Sequence, residues 1–290
     1  MKGLSGLLLV SCLVCGGSSV LAAQEKPGDV TPPPKVLVIQ REFVKPGKAG
    51  SAHEKTESAF VRAMMAARWP TRYLGMDSLS GPSRSLFFIG YDSFAAWEKD
   101  NMDMQKNATL AAAIDRASQA DGELLNAYES SAYTYREEYS LRAPVNIGQM
   151  RYMEITRFKI RMGHRKDWDK LVKMYLDAYG KAVPDAHWAM FESMYGMDNG
   201  GVFLMVTPMK SATEIDQEVS AGDAFYASRN ADDAKKMSEL SASCIEAVQS
   251  NLFLFNPKMS YPRDAWVNAD PAFWKAKVAA SKKLAPKPEQ

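Results

Sequence analysis

Only 3 cysteines occur in the 290 residues, and two of them, Cys12 and Cys15, fall in the first fifteen positions. Past that stretch Cys244 stands alone, which excludes an internal disulfide framework and any paired-cysteine redox or metal motif. Histidine is as scarce. His53, His164 and His187 fall on an expected helix, a turn and a strand start, and no two share the i, i+4 spacing of a helical metal pair. No metal site is expected on that ground. A glycine-rich phosphate loop and a GxSxG turn are both missing, which removes the nucleotide cradle and the nucleophile elbow. The 36 basic and 34 acidic residues leave a formal net charge of +2, and the densest basic run, Lys275 to Lys283, sits near the C-terminus. Nucleic acid needs a basic stripe, so none is expected as a partner. No apolar run reaches the roughly 20 residues of a membrane span.

The first residues read as a targeting signal. Lys2 supplies the charge, Leu4 to Val14 the apolar region, and Val20-Leu21-Ala22 the small-residue site before Ala23. The mature protein is expected to be exported, periplasmic or secreted, and without a transmembrane segment. A competing reading takes Leu9-Val10-Ser11-Cys12 as a lipoprotein site, with the anchor on Cys12. Cys244, in the helical pattern SELSASCIEAV, is expected to be a buried structural thiol. The 17 methionines are expected to fill gaps in the core.

The stretch Thr71 to Gly81, TRYLGMDSLSG, returns as Ala186 to Gly196, AHWAMFESMYG, and in both copies a second apolar run follows. Each pair predicts a hairpin, so one supersecondary unit is built twice. Around the first hairpin the pattern predicts a strand at 36–43, a helix at 50–66 and, after Ser93, a short helix and a longer one at 108–128. Around the second lie a strand at 151–160, a helix at 166–179, a tight turn at Asn199-Gly200 and a long helix at 231–250. The order strand-helix-strand-strand-helix-strand in each copy is that of a ferredoxin-like unit. The expected division is a signal peptide at 1–22, a proline-rich linker at 23–34, units at 35–142 and 148–262, and a C-terminal helix and tail at 263–290.

Val44-Lys45-Pro46-Gly47-Lys48 follows the first strand, and Tyr91-Asp92-Ser93-Phe94-Ala95-Ala96-Trp97-Glu98 follows the third. With these stretches the chain resembles the dimeric α/β barrel superfamily, in its antibiotic-biosynthesis-monooxygenase and NIPSNAP-like branches. The second copy keeps less, with Met162-Gly163-His164 where Pro-Gly-Lys stood. The resemblance spans about Val36 to Ser260. It implies an α+β fold of two tandem ferredoxin-like units packed sheet on sheet as an intrachain α/β barrel, with a C-terminal helix added. It implies a monomer or weak dimer as well. Such folds host oxygenases, haem enzymes, isomerases and proteins of no known activity, so the fold alone does not select a reaction.

Alternate strand residues face opposite ways. Leu74, Met76 and Ser78, matched by Ala189, Phe191 and Ser193, suit the face under the helices. The other set, Tyr73 and Asp77 matched by Trp188 and Glu192, is then expected to face between the sheets with Gln40, Glu154 and Thr156. A carboxylate within an apolar strand is costly unless paired or wet, and this one recurs. Two readings follow: Asp77 and Glu192 hold register by pairing with Arg41, Arg157 or a neighbouring chain, or they face a pocket for a small, partly aromatic ligand. The pocket is the reading carried forward, with Tyr73, Trp188, Gln40, Thr156 and Glu154 as its other candidates. The alternative is a monooxygenase-like enzyme, cofactor-free or using haem with His187 or His164 as axial ligand.

Mass spectrometry of exported protein is expected to find a mature chain beginning near Ala23. A diacylglyceryl group on Cys12 would replace that reading with the lipoprotein one.

Overall fold

The structure, a computed structural model, describes residues 30–197 and 201–275. The expected signal peptide, most of the expected proline-rich linker, the expected Asn199-Gly200 turn and the tail from Lys282 lie outside the described residues.

The first unit runs β1 (Val36–Val44), α1 (Ser51–Ala67), β2 (Tyr73–Ser78), β3 (Arg84–Tyr91), α2 (Phe94–Lys106), α3 (Ala108–Gly122) and β4 (Leu125–Tyr135). The second repeats it as β5 (Tyr152–Ile160), α4 (Arg165–Ala182), β6 (Ala189–Tyr195), β7 (Val202–Met209), α5 (Thr213–Ser228), α6 (Ala231–Cys244) and β8 (Ile245–Phe255). Two short helices, α7 (Asp264–Ala269) and α8 (Pro271–Trp274), follow. Side-chain caps fix the helix starts: the Ser93 hydroxyl accepts from the Ala96 amide, and Asn107 and Asn230 cap α3 and α6 in the same way. Gly81 and Gly196, in the turns that follow the matched strands β2 and β6, have φ 74° and 78°. A side chain on Gly196 would also strike the Ser130 carbonyl, which explains a glycine in both copies.

All strand pairs are antiparallel, and the order β1-β3-β2-β8-β5-β7-β6-β4 closes on itself. Each unit contributes four neighbouring strands, and two seams join them: β2 to β8 and β4 to β6. This is the dimeric α/β barrel fold with both halves on one chain. The lumen is filled by Leu37, Ile39, Leu74, Met76, Tyr133, Met153, Ile155, Phe191, Phe253 and Phe255 among others. Trp266 and Trp274, from α7 and α8, pack onto the same cluster at one end of it, and Trp274 Nε1 donates to the Gly148 carbonyl at 2.8 Å. Arg41 also sits on this face, donating to the Tyr133 hydroxyl at 2.6 Å and to Ser131. The outer faces of the strands lie under helices, α1 to α3 over the first unit and α4 to α6 over the second.

Two expected helices end earlier than their patterns suggest. The segment to Tyr128 belongs to α3 only as far as Gly122, and the segment to Ser250 belongs to α6 only as far as Cys244. The first halves of β4 and β8 are exposed and polar, so they lack the alternation that marks a strand. Among the described residues the single expected C-terminal helix is two short ones.

Because every strand finds both neighbours within the chain, no partner subunit is needed to close the sheet. Light scattering is expected to give the mass of one chain across a wide concentration range. An obligate dimer that exchanges whole units would contradict intrachain closure.

Candidate functional site

The expected pocket residues do not meet between the sheets. Tyr73 packs against α1 and α3 beside Val61, Met64 and Leu110. Asp77 accepts from the Ser85 hydroxyl at 2.5 Å and from Asn256 Nδ2 at 2.7 Å. Gln40 alternates with Leu37 and Ile39 of the lumen and shares the outer face with Val38, which packs on Trp97 of α2. In the second unit, Trp188 stands edge-on against Tyr179 of α4 with ring centres 5.6 Å apart, and its Nε1 donates to the Tyr139 carbonyl. Glu192 is ion-paired with Arg165 of α4 and with Arg136. Thr156 donates to Glu154 at 3.0 Å, and both lie on that same outer face. The set expected under the helices, Leu74 and Met76 with Ala189 and Phe191, fills the lumen instead.

The expected faces are therefore exchanged, and Asp77 and Glu192 lie under different helix layers. The reason is physical. Alternation sorts residues onto two faces but does not say which is inside, and here both faces are packed. Neither Asp77 nor Glu192 pairs with Arg41 or Arg157 as the ion-pair reading supposed.

Two of the expected residues do open on one cavity. Between the outer face of β5, β6 and β7 and the helices α4 and α5 lies a space of about 1040 Å³ that Glu154 and Trp188 both line. Trp168, Tyr175 and Tyr179 line it from α4, and Glu218 from α5. On α4, Trp168, Tyr175 and Tyr179 recur at spacings of seven and four, so one helix face delivers all three rings. Trp168 stacks on Phe203 at 5.0 Å, and its buried Nε1 has no hydrogen-bond partner.

The electrostatics converge on one carboxyl pair. Burial pushes Glu218 up to about 7, with a further push from the neighbouring Glu154 carboxylate, which accepts a hydrogen bond from the protonated form. Burial likewise raises Tyr175 and Tyr179, so both phenols stay protonated at neutral pH. Glu218, Tyr175 and Tyr179 were not singled out by strand-face reasoning, which looked only at strands. The aromatic spacing along α4 was the available signal.

Neither histidine expected as a haem ligand offers an unengaged nitrogen to this cavity. His187 lines it, but its Nδ1 and Nε2 lie 3.0 and 2.8 Å from the carbonyls of Asp185 and Pro208. His164 precedes α4, bonds Asp167 and Ser243, and is not part of the lining. Among the described residues, the group able to hold a metal ion is Glu42, His53, Glu57 and Asp121 in the first unit, and none of them lines this cavity.

No described protein family matches the chain, and no curated protein is similar to it in sequence. Solved structures resemble its shape. An anthrone oxidase-like protein is 15% identical with a TM-score of 0.48, covering 77% of this chain and 92% of its own. A provisional monooxygenase from Fusobacterium nucleatum is 10% identical with a TM-score of 0.48, covering 77% and 93%. Chlorite dismutase from Candidatus Nitrospira defluvii, in complex with imidazole, is 8% identical with a TM-score of 0.45, covering 78% and 92%. Function is read from the residues of this chain.

Glu192 is held by two arginines and lies outside the cavity lining, so its replacement is expected to act on stability alone. Glu192→Gln is expected to cost about 1–2 kcal/mol, between the limits for exposed and buried ion pairs. The shift of the urea midpoint measures it, and unchanged stability would remove Glu192 from the framework.

Proposed function

We propose that the protein binds a small, partly aromatic ligand carrying a cationic group, in the cavity beneath α4 and α5. The observation that carries this is the convergence of four aromatic side chains, Trp168, Tyr175, Tyr179 and Trp188, with the Glu154–Glu218 pair on one space of about 1040 Å³. Aromatic faces attract organic cations, the more so where water is thin, and a carboxylate pair supplies the compensating charge. An anionic ligand would meet two carboxyls already in competition for one proton. The Trp168 Nε1 donor adds a polar point between the rings.

The proposed setting is an exported binding protein, in line with the N-terminal signal. Among the described residues no helix is long and apolar enough to cross a membrane. A second reading, of a cofactor-free enzyme of the monooxygenase-like kind, is favoured by one observation. Glu218 keeps its proton to about pH 7 beside Glu154, which provides a general acid and a general base at one point. In that reading the aromatic walls orient the substrate and the pair moves a proton at its polar end.

Titration calorimetry with phenethylamine and with 3-phenylpropionate, alike in ring and opposite in charge, tests the binding reading. The amine is expected to bind at least about tenfold more tightly, a difference of about 1.4 kcal/mol. Its affinity is expected to rise as pH climbs through about 7, because Glu218 then loses its proton and gains charge. Glu218→Gln is expected to weaken the amine and flatten that pH dependence. Equal binding of the two probes, or an unaffected Glu218→Gln variant, would reject the proposal.

A further inference from the structure

The first unit carries a second buried group that the aromatic cavity does not use. Glu42 comes from β1, His53 and Glu57 from successive turns of α1, and Asp121 from the last turn of α3. Their exposures are 7%, 1%, 3% and 2%, and one potential ligand atom from each lies within 4.8 Å of all the others. His53 Nε2 is 3.0 Å from Glu42 Oε2 and 3.4 Å from Asp121 Oδ1. Thr56 donates to Asp121 Oδ1 at 2.5 Å. Glu57 Oε1 is buried with no hydrogen-bond partner at all. Among the described residues no lysine or arginine ion-pairs with any of the three carboxylates.

Three carboxyl groups in a dry space cannot all stay charged without compensation. Each costs several kcal/mol to strip of water unless a cation or hydrogen bonds replace it. An imidazolium at His53 would answer one of the three charges and would leave Glu57 Oε1 alone.

The neighbours of His53 argue further. Ser85 gives its one hydroxyl proton to Asp77, at 2.5 Å, so its oxygen lone pairs face His53 Nδ1 at 3.3 Å. Nδ1 therefore carries a proton toward Ser85, which leaves Nε2, set between Glu42 and Asp121, as the nitrogen that can take a metal ion in place of a proton. With Nε2 unprotonated, three acceptors turn on one point and repel unless a cation sits among them. A hydroxyl relayed to a carboxylate behind a histidine is the second shell that orients a metal-binding imidazole.

The fold does not demand these charges. At the matched places of the second unit stand Phe158 for Glu42, Trp168 for His53 and Val172 for Glu57, and there they form an apolar cluster. The same layer thus packs with hydrocarbon in one copy and with a histidine and acids in the other.

We propose that Glu42, His53, Glu57 and Asp121 bind one divalent transition-metal ion of the manganese, iron or zinc class. One imidazole nitrogen with carboxylate oxygens suits these ions, whereas calcium and magnesium take all-oxygen sets. The ion ties β1, α1 and α3 together, and Ser85 and Asp77 are positioning residues that act through His53.

The test is metal retention by the whole mature chain, untagged, stripped by chelator in denaturant, refolded, and passed through gel filtration after incubation with Mn(II), Zn(II) or Ca(II). About one equivalent of Mn(II) or Zn(II) should stay with the protein, with Ca(II) absent, and the ion should raise Tm by about 5 °C or more at saturation. Glu57→Gln keeps the shape while losing a ligand charge, so it should fold, retain less than a tenth of the ion and show no such rise. Ser85→Ala should keep the stoichiometry and bind about tenfold more weakly. Wild-type chain that retains no transition ion, retention undiminished in a folded Glu57→Gln variant, or calcium held as firmly as manganese would each overturn the assignment.

Discussion

Closure of eight strands within one chain is the constraint on which the rest of this structure depends. A closed sheet has no free edge, and each strand is bonded on both sides by others of the same chain. A barrel of this strand number has a lumen just wide enough to be filled by side chains. Here Tyr133, Phe253, Ile39 and Met76 are almost wholly buried and fill it, with the tryptophans of α7 and α8 packed onto the same cluster. Chemistry that needs space must then lie outside the sheet, under the helices. Two such layers exist, one per unit.

Those layers have diverged from one plan. In the second unit α4 presents aromatic rings, and the space left between them and the sheet is large enough for a ligand. In the first, α1 presents His53 and Glu57 at the corresponding turns, against Glu42 on β1 and Asp121 on α3. Burial of hydrocarbon stabilises one layer at about 25 cal/mol per Å². The other must satisfy charges instead, and hydrogen bonds from Thr56 and His53 do so only in part. Duplication makes this possible, since one copy can hold the barrel together while the other takes on a costly arrangement.

Much of the architecture was legible in the residues. The repeated hairpin, the strand alternation of KVLVIQREF and the cap at Ser93 all report local physics, and local physics decided those elements. The faces were not legible. Val38 and Ile39 are equally buried on opposite sides of β1, so polarity gives no sign of which side is lumen. The long helices overran their true ends because the first halves of β4 and β8 carry exposed polar residues. The buried quartet carries a single histidine, so it leaves no paired-histidine spacing in the sequence. A histidine and an acid four apart on α1, with a glutamate two residues before the end of β1, was the pattern to weigh, and only tertiary contact adds Asp121.

The recurrence of an acid at Asp77 and Glu192 has its own explanation in the seams. Asp77 lies on β2, opposite Leu254 of β8, and Glu192 lies on β6, opposite Thr134 of β4. Each acid thus stands on the strand through which its unit joins the other. The partner in each case is the residue that follows the closing strand of the opposite unit: Asn256, just past β8, donates to Asp77, and Arg136, just past β4, pairs with Glu192. Asn256 and Arg136 are themselves matched positions of the repeat. A flat apolar seam could slip by two residues and still alternate correctly. A carboxylate that finds its donor only in one register penalises that slip, at both joints of the barrel. Asp77 serves this and also orients Ser85 behind His53, so the seam and the buried quartet share one carboxylate.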